Sequence, residues 1–251
     1  MPPKKSKKDK QPPTPTQTIP QKPNWPPLRP LIPTTDLTIT PILDDQIYLI
    51  PNFLPSSLCK TYVSFLSSLP LITTPGKPKK GDAVRVNDRF QVQDENFAEM
   101  LWSGTAMKEL VTNRIYAELE REREEAETDI WGGKPLGLNA NIRIYRYTKG
   151  QFFAQHYDDS NTVTFSSPSH PSQPARTTWT LLIYLTACSG GETVFYPEPT
   201  RANRNPEPVS VAPETGMALL HRHGDQCLAH EGMEVFGGEK WVLRSDLVVE
   251  R

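Results

Sequence analysis

The chain has 251 residues, with 28 Lys and Arg against 29 Asp and Glu and a formal net charge of −1, which excludes a protein that grips a polyanion through overall charge. That length suits one large β-rich domain, and the three cysteines, Cys59, Cys188 and Cys227, lack the number and spacing of a disulfide framework. With no apolar leader and no run of about eighteen apolar residues, the expectation is a reducing, intracellular setting, cytoplasmic or nuclear, without a membrane span.

Residues 1–35 read as a disordered tail, basic from Lys4 to Lys10 and proline-rich to Pro33. The lysines fit a nuclear-import signal, a nucleic-acid contact or a solvated end, and Pro12 to Pro30 a docking segment or a linker. Order is expected from Asp36 to residue 251, with helical support to about 137 and a β core from about 138. Ile47–Ile50 reads as a strand, and Pro51–Pro55 as a turn into a helix capped by Ser56 or Ser57, with Leu58, Tyr62, Phe65, Leu66 and Leu69 on one face. Pro75–Gly81 is a basic loop, either a lid or an exposed turn. Arg85–Val92 alternates as a strand. A short helix from Asp94 carries Phe97, Met100, Leu101 and Trp102, and a longer one over Thr105–Thr128 turns Leu110, Ile115 and Leu119 inward.

From Leu138 the period becomes that of strands. The pattern reads Ile142, Ile144, Tyr145 and Tyr147 as leading into the segment of His156, and predicts further strands at Thr178–Leu185, Thr193–Tyr196, Val209–Val211, Met217–Leu220, Cys227–His230 and Lys240–Val249, with a serine- and proline-rich flap over Asn161–Ala175. In an extended segment, His156 and Asp158 project to the same side. A histidine from a remote strand would complete the two-imidazole, one-carboxylate face that suits non-haem Fe(II). His230 is the candidate, with His221 and His223 as rivals whose own alternation would let both reach one metal. Cys227 reads as a core thiol, because one Cys-x-x-His lacks the partners of a structural zinc. Lys240 opens an apolar run, and a lysine turned into a barrel must find an anion.

The ordered set His156, Asp158, His230 and Lys240, with ten residues from second histidine to lysine, resembles the 2-oxoglutarate and Fe(II)-dependent dioxygenases, most of all the prolyl 4-hydroxylase-like branch. Tyr147 and the Gly190-Gly191-Glu192-Thr193 turn match positions there, and the resemblance runs from about Ile47 to the C-terminus. It implies an α+β, mainly β fold: a double-stranded β-helix, or jelly roll, with N-terminal supporting helices. It implies Fe(II) on His156, Asp158 and His230, and 2-oxoglutarate held by Lys240 and Tyr147, with ascorbate among the cofactors. The implied reaction consumes O2 and hydroxylates a protein or peptide side chain, proline included, releasing succinate and CO2. The alternatives are an inactive jelly-roll module docking partners through its tail, and an oxygenase directed at nucleic acid. Arg244 shares a strand face with Lys240 and is assigned an ion pair with Asp246 or a neighbour. The eight residues Gly232–Glu239, between His230 and Lys240, read as a hairpin joining neighbouring strands. Asp246 stands where prolyl hydroxylases often carry tryptophan.

Overall fold

The computed structural model describes residues 22–74, 78, 80–113, 130–168, 170–201 and 203–251. In chain order come β1 (Thr40–Leu43), β2 (Ile47–Ile50), helix α1 (Ser56–Leu66), β3 (Ile72–Thr73), β4 (Arg85–Val86), β5 (Asp88–Gln93) and helix α2 (Glu95–Ser103). A helical run over 107–113 follows. The later strands are β6 (Pro135–Leu138), β7 (Asn141–Tyr147), β8 (Phe152–His156), β9 (Thr162–Ser167), β10 (His170–Tyr184), β11 (Ser189–Gly190) and β12 (Thr193–Tyr196). It closes with β13 (Val209–Val211), β14 (Ala218–Arg222), β15 (Ala229–Gly232), β16 (Val235–Gly237) and β17 (Lys240–Glu250).

Two sheets form a jelly roll. The larger has the order β1-β2-β14-β10-β17-β7-β5-β3, with β6 on β17 and β9 on β10; the smaller runs β13-β12-β15-β8-β4. Strand alternation divides the apolar residues of the large sheet between two cores. Tyr145, Tyr147, Tyr184, Leu219 and Val242 point between the sheets, where Phe195 and Val211 of the small sheet meet them. Ile142, Ile144, Trp179, Leu181 and Leu243 point outward and are covered by the helices through Leu58, Tyr62, Phe97, Leu101 and Trp102. Trp179 therefore belongs to the helix-side core, where its ring meets Trp131 at 5.0 Å and Tyr48 at 5.3 Å. Asp94 caps α2 by accepting the Phe97 N–H at 3.2 Å. No helix among the described residues is long and apolar enough to cross a membrane.

Four expectations change. Residues 22–33, read as tail, lie along the helices: Trp25 stacks on Phe97 at 3.9 Å and Tyr62 donates its hydroxyl to the Pro26 carbonyl at 2.7 Å. Trp25 and the buried Leu28, with Leu31 and Ile32 packed beside them, supply the apolar anchors that the average composition conceals. The α1 cap is Pro55, without a side-chain bond, because Ser56 is already helical. The flap over 161–175 is instead the β9–β10 pairing, held where Phe165 and Val163 pack on Leu136, Ala175 and Val248. β15 and β17 are not neighbours but belong to different sheets, so the segment between them crosses the sandwich. The helix expected to Thr128 is described only as far as 113. The assignments for Ile115 and Leu119, for residues 75–77 and 79 of the basic loop and for residues 1–21 lie outside the described residues.

Candidate functional site

The site begins with a strand register. β15 pairs antiparallel with β8 so that His230 stands directly opposite His156, and their rings lie 4.3 Å apart. Each imidazole is fixed from behind. His156 Nδ1 lies 2.9 Å from the Ala154 carbonyl, and His230 Nδ1 lies 2.9 Å from the Leu228 carbonyl. A carbonyl can only accept, so both Nδ1 atoms carry the proton and both Nε2 lone pairs are left free. The free nitrogens face one carboxylate: His156 Nε2 is 3.8 Å from Asp158 Oδ1, and His230 Nε2 is 3.8 Å from Asp158 Oδ2. Phe153, stacked on His156 at 3.6 Å, and Phe195, 5.4 Å from His230, restrict the rings further.

Asp158 lies just beyond β8, where its N–H meets Cys227 Sγ at 3.2 Å. Its carboxylate accepts hydrogen bonds from Thr180 Oγ1 at 2.9 Å and Arg244 Nη1 at 3.1 Å, and Arg244 Nη2 stands 2.9 Å away as an ion pair. Burial alone would raise the Asp158 pKa, but Arg244 and the imidazoles of His221, His230 and His156 hold it well below the usual carboxylate range. Burial, reinforced by His230 and opposed by Asp158, pushes His156 down to about 4, and burial also lowers His221 and His230. His221 enters because β14 pairs with β10, which sets it opposite Thr180. Its Nε2 lies 3.6 Å from Asp158 Oδ2.

Donor atoms of His156, Asp158 and His230 lie within 4.8 Å of one another, as do those of His221, Cys227 and His230. The first set fits a hard, open-sided divalent iron: two neutral imidazoles of fixed tautomer and one ionised carboxylate. In the second, the Cys227 thiol is pushed up to about 11, chiefly by burial, so at neutral pH it is not a thiolate.

Deeper between the sheets lies Lys240, only 5% exposed. Its ammonium donates to the Gly191 carbonyl at 2.7 Å and to Thr193 Oγ1 at 3.3 Å, over the rings of Tyr184 and Tyr147 at 5.3 and 5.7 Å. No carboxylate among the described residues pairs with it. Burial drives its pKa down to about 8 against the pull of Cys188 and Glu192. Tyr147 is paired with Lys240 in the β7–β17 register, and burial raises its pKa.

The structure thus brings together His156, Asp158 and His230, and sets Lys240 beside Tyr147. Of the rivals, His221 joins the cluster while His223 turns to the hydroxyls of Thr177 and Thr180, at 2.9 and 3.0 Å. Arg244 does approach Asp246, at 3.5 Å, but its shorter bonds are to Asp158. Thr180, His221 and the Arg244–Asp158 pair are set by cross-strand register, which no local spacing in the sequence encodes.

This burial has a measurable consequence. The folded His156 pKa of about 4 lies below the reference 6.5, so on acidification the unfolded chain takes up protons first. The stability of the metal-free protein will be full above about pH 6.5 and fall from there towards pH 4, His156 alone accounting for about 3 kcal/mol. His221, His223 and His230 shift in the same direction. Urea unfolding across this range reads the effect, and a midpoint that stays flat on acidification contradicts it.

Residues 142–245 match the family model of the 2OG-Fe(II) oxygenase superfamily. Among solved structures, the viral collagen prolyl hydroxylase of Paramecium Bursaria Chlorella virus-1, in its 2OG complex, aligns at 16% identity over 81% of this chain and 96% of its own, with a TM-score of 0.45. A prolyl-4-hydroxylase from Pseudomonas putida aligns at 15% identity over 82% and 93%, with a TM-score of 0.48. A prolyl hydroxylase from Trichoplax adhaerens, in complex with a hypoxia inducible factor oxygen degradation domain peptide fragment, aligns at 15% identity over 81% and 85%, also at 0.48. No curated protein sequence matches the chain.

Proposed function

We propose, from the match of residues 142–245 to the family model of the 2OG-Fe(II) oxygenase superfamily, that the chain is an oxygenase of that kind and couples decarboxylation of 2-oxoglutarate to hydroxylation of a protein or peptide side chain. The observation that carries the reading is the buried ammonium of Lys240, which has no carboxylate partner among the described residues, together with two imidazoles on the other sheet whose Nε2 atoms are free. Such a charge needs an anion of its own.

His156 and His230 would hold Fe(II) through Nε2, and Asp158 through its carboxylate. Lys240 would hold the distal carboxylate of 2-oxoglutarate, with the Tyr147 hydroxyl as a second donor. Bound there, iron supplies oxygen activation: O2, 2-oxoglutarate and a C–H group become succinate, CO2 and C–OH. The backbone carbonyls of Ala154 and Leu228 keep both imidazoles in the ligating tautomer, so no proton must leave them when the metal enters. Thr180 and Arg244 hold the Asp158 carboxylate in place. The aromatic walls of Tyr147 and Tyr184 exclude water from around Lys240 and strengthen its attraction for a carboxylate.

The substrate would enter along a groove of about 1540 Å³ that reaches His156 and Asp158 from the surface. Asp246, at the position where prolyl hydroxylases often carry tryptophan, is 1% exposed and bonded to Arg143, so it offers no ring face to a proline. The proposal therefore extends to side chains generally, proline among them. The test is the full-length protein with Fe(II), ascorbate and 2-oxoglutarate labelled at the carboxylate that is lost. Labelled CO2 and stoichiometric succinate are expected even without a substrate, and a metal-loaded sample that releases neither sinks the reading.

A further inference from the structure

The groove above the site has a charge character that the oxygenase chemistry does not use. Arg85 and Arg89 line it, together with Arg143 and Arg244. The latter two are neutralised in place, Arg143 by Asp246 and Arg244 by Asp158 and Asp246. Arg85 and Arg89 are not: neither has a carboxylate partner among the described residues. Arg85 lies over the Phe153 ring at 4.8 Å and near that of Tyr145 at 5.7 Å, while Arg89 donates, among the described residues, to the amide oxygen of Gln91. Burial lowers the pKa of Arg89, and Arg85 and Arg143 lower it further against the pull of Tyr145. Both side chains are half-buried, so solvent screens them incompletely. The groove's other carboxylates, Asp82 and Asp159, are exposed and pair with neither arginine.

The wall beside these arginines is a strand edge. β3 is the last strand of the large sheet, pairing among the described residues only with β5, in a register that sets Ile72 opposite Arg89. Ile72 is 73% exposed, and Tyr157, on the groove's rim, is 61% exposed. An unpaired edge with an apolar side chain accepts an extended chain by backbone hydrogen bonding. A nucleic acid gains nothing from that edge, and two unpaired guanidinium groups neutralise few phosphates.

We propose that the groove binds an extended acidic peptide, its backbone along the β3 edge and its carboxylates on Arg85 and Arg89, presenting a nearby side chain to the site at the groove's floor. This rests on the oxygenase reading for what happens there, but the binding itself does not. The test measures fluorescence anisotropy of the full-length protein with labelled peptides of equal length, bearing glutamate, glutamine or lysine around one central residue, and with a single-stranded RNA of the same length. The glutamate peptide is expected to bind at least about tenfold more tightly than the glutamine peptide, with the difference shrinking as salt rises. The double variant Arg85→Gln/Arg89→Gln should remove that difference, and Arg89→Glu should shift preference towards the lysine peptide, with circular dichroism confirming that both fold. Equal binding of the glutamate and glutamine peptides by the unaltered protein, no peptide binding, or tighter binding of the RNA overturns the proposal. Succinate release by the unaltered protein without peptide separates the two ideas. Turnover without acidic preference sinks only the groove proposal, and acidic preference without turnover sinks only the oxygenase reading.

Discussion

Replacing Lys240 with methionine will move two properties in opposite directions: affinity for 2-oxoglutarate will fall, and the ligand-free protein will become more stable. The ammonium is 5% exposed and has no carboxylate among the described residues. Its pKa is lowered from 10.5 to about 8 by burial, so keeping it charged at neutral pH costs about 3 kcal/mol. A methionine of similar length removes that cost. It also removes the partner of a buried carboxylate, a loss of about 2–5 kcal/mol, or about 30-fold or more in affinity. Lys240→Arg keeps the charge and should retain part of the binding.

The same group sets a pH dependence. Below about pH 8 the free protein holds Lys240 as the ammonium that a carboxylate needs, so 2-oxoglutarate affinity should weaken as pH rises through that value. The stability of the ligand-free protein has the other sign. Between about 8 and 10.5 the unfolded chain binds more protons than the folded one, so stability rises with pH in that window. Calorimetric titration of the Zn(II)-loaded protein with 2-oxoglutarate, alongside thermal melts, reads both. Unchanged affinity in Lys240→Met, or affinity indifferent to pH across this range, removes Lys240 as the receptor.

Substituting alanine for His156, Asp158 or His230 will abolish turnover and weaken metal binding by more than the roughly 10–100-fold that loss of an outer partner costs. The informative control is His221→Ala. Its Nε2 also faces Asp158, but the Nε2 atoms of His156 and His230 bracket the two carboxylate oxygens from the facing strands β8 and β15. His221→Ala should therefore retain Co(II) binding at a level the other three do not reach. The visible spectrum of the Co(II) form measures this directly. A Co(II) complex that survives His156→Ala but disappears in His221→Ala would transfer the metal to the alternative set with Cys227.

The sequence exposed those features of the site that depend on local spacing. His156 and Asp158 two residues apart, and Lys240 at the start of an apolar strand, can be read without a fold. That His230 stands opposite His156, and Tyr147 opposite Lys240, are registers that neither spacing nor composition encodes; the family resemblance implies only that these residues share a site. Arg244 shows the limit. Its strand face was legible, but its partner Asp158 lies 86 positions away and is reached only because β8 and β17 belong to opposing sheets. The β9–β10 pairing was hidden by serines and prolines, which obscured the inward alternation of Val163 and Phe165. The sequence predicts a tight turn at Gly191. It has that geometry, at φ +73°, and its carbonyl also anchors Lys240.

The two imidazoles come from β8 and β15 of the smaller sheet, whereas Lys240 and Arg244 come from β17 of the larger. A small dicarboxylate touching both groups is therefore a rivet through two leaves, and its grip depends on how far the leaves are free to part. Substitutions that loosen the sandwich anywhere along its seam, such as at Leu219 or Phe195 in the inner core, will register as poorer cosubstrate binding although they touch no ligand. Occupancy in turn will damp the breathing of the whole mouth, making amide exchange on β8, β15 and β17 slow together.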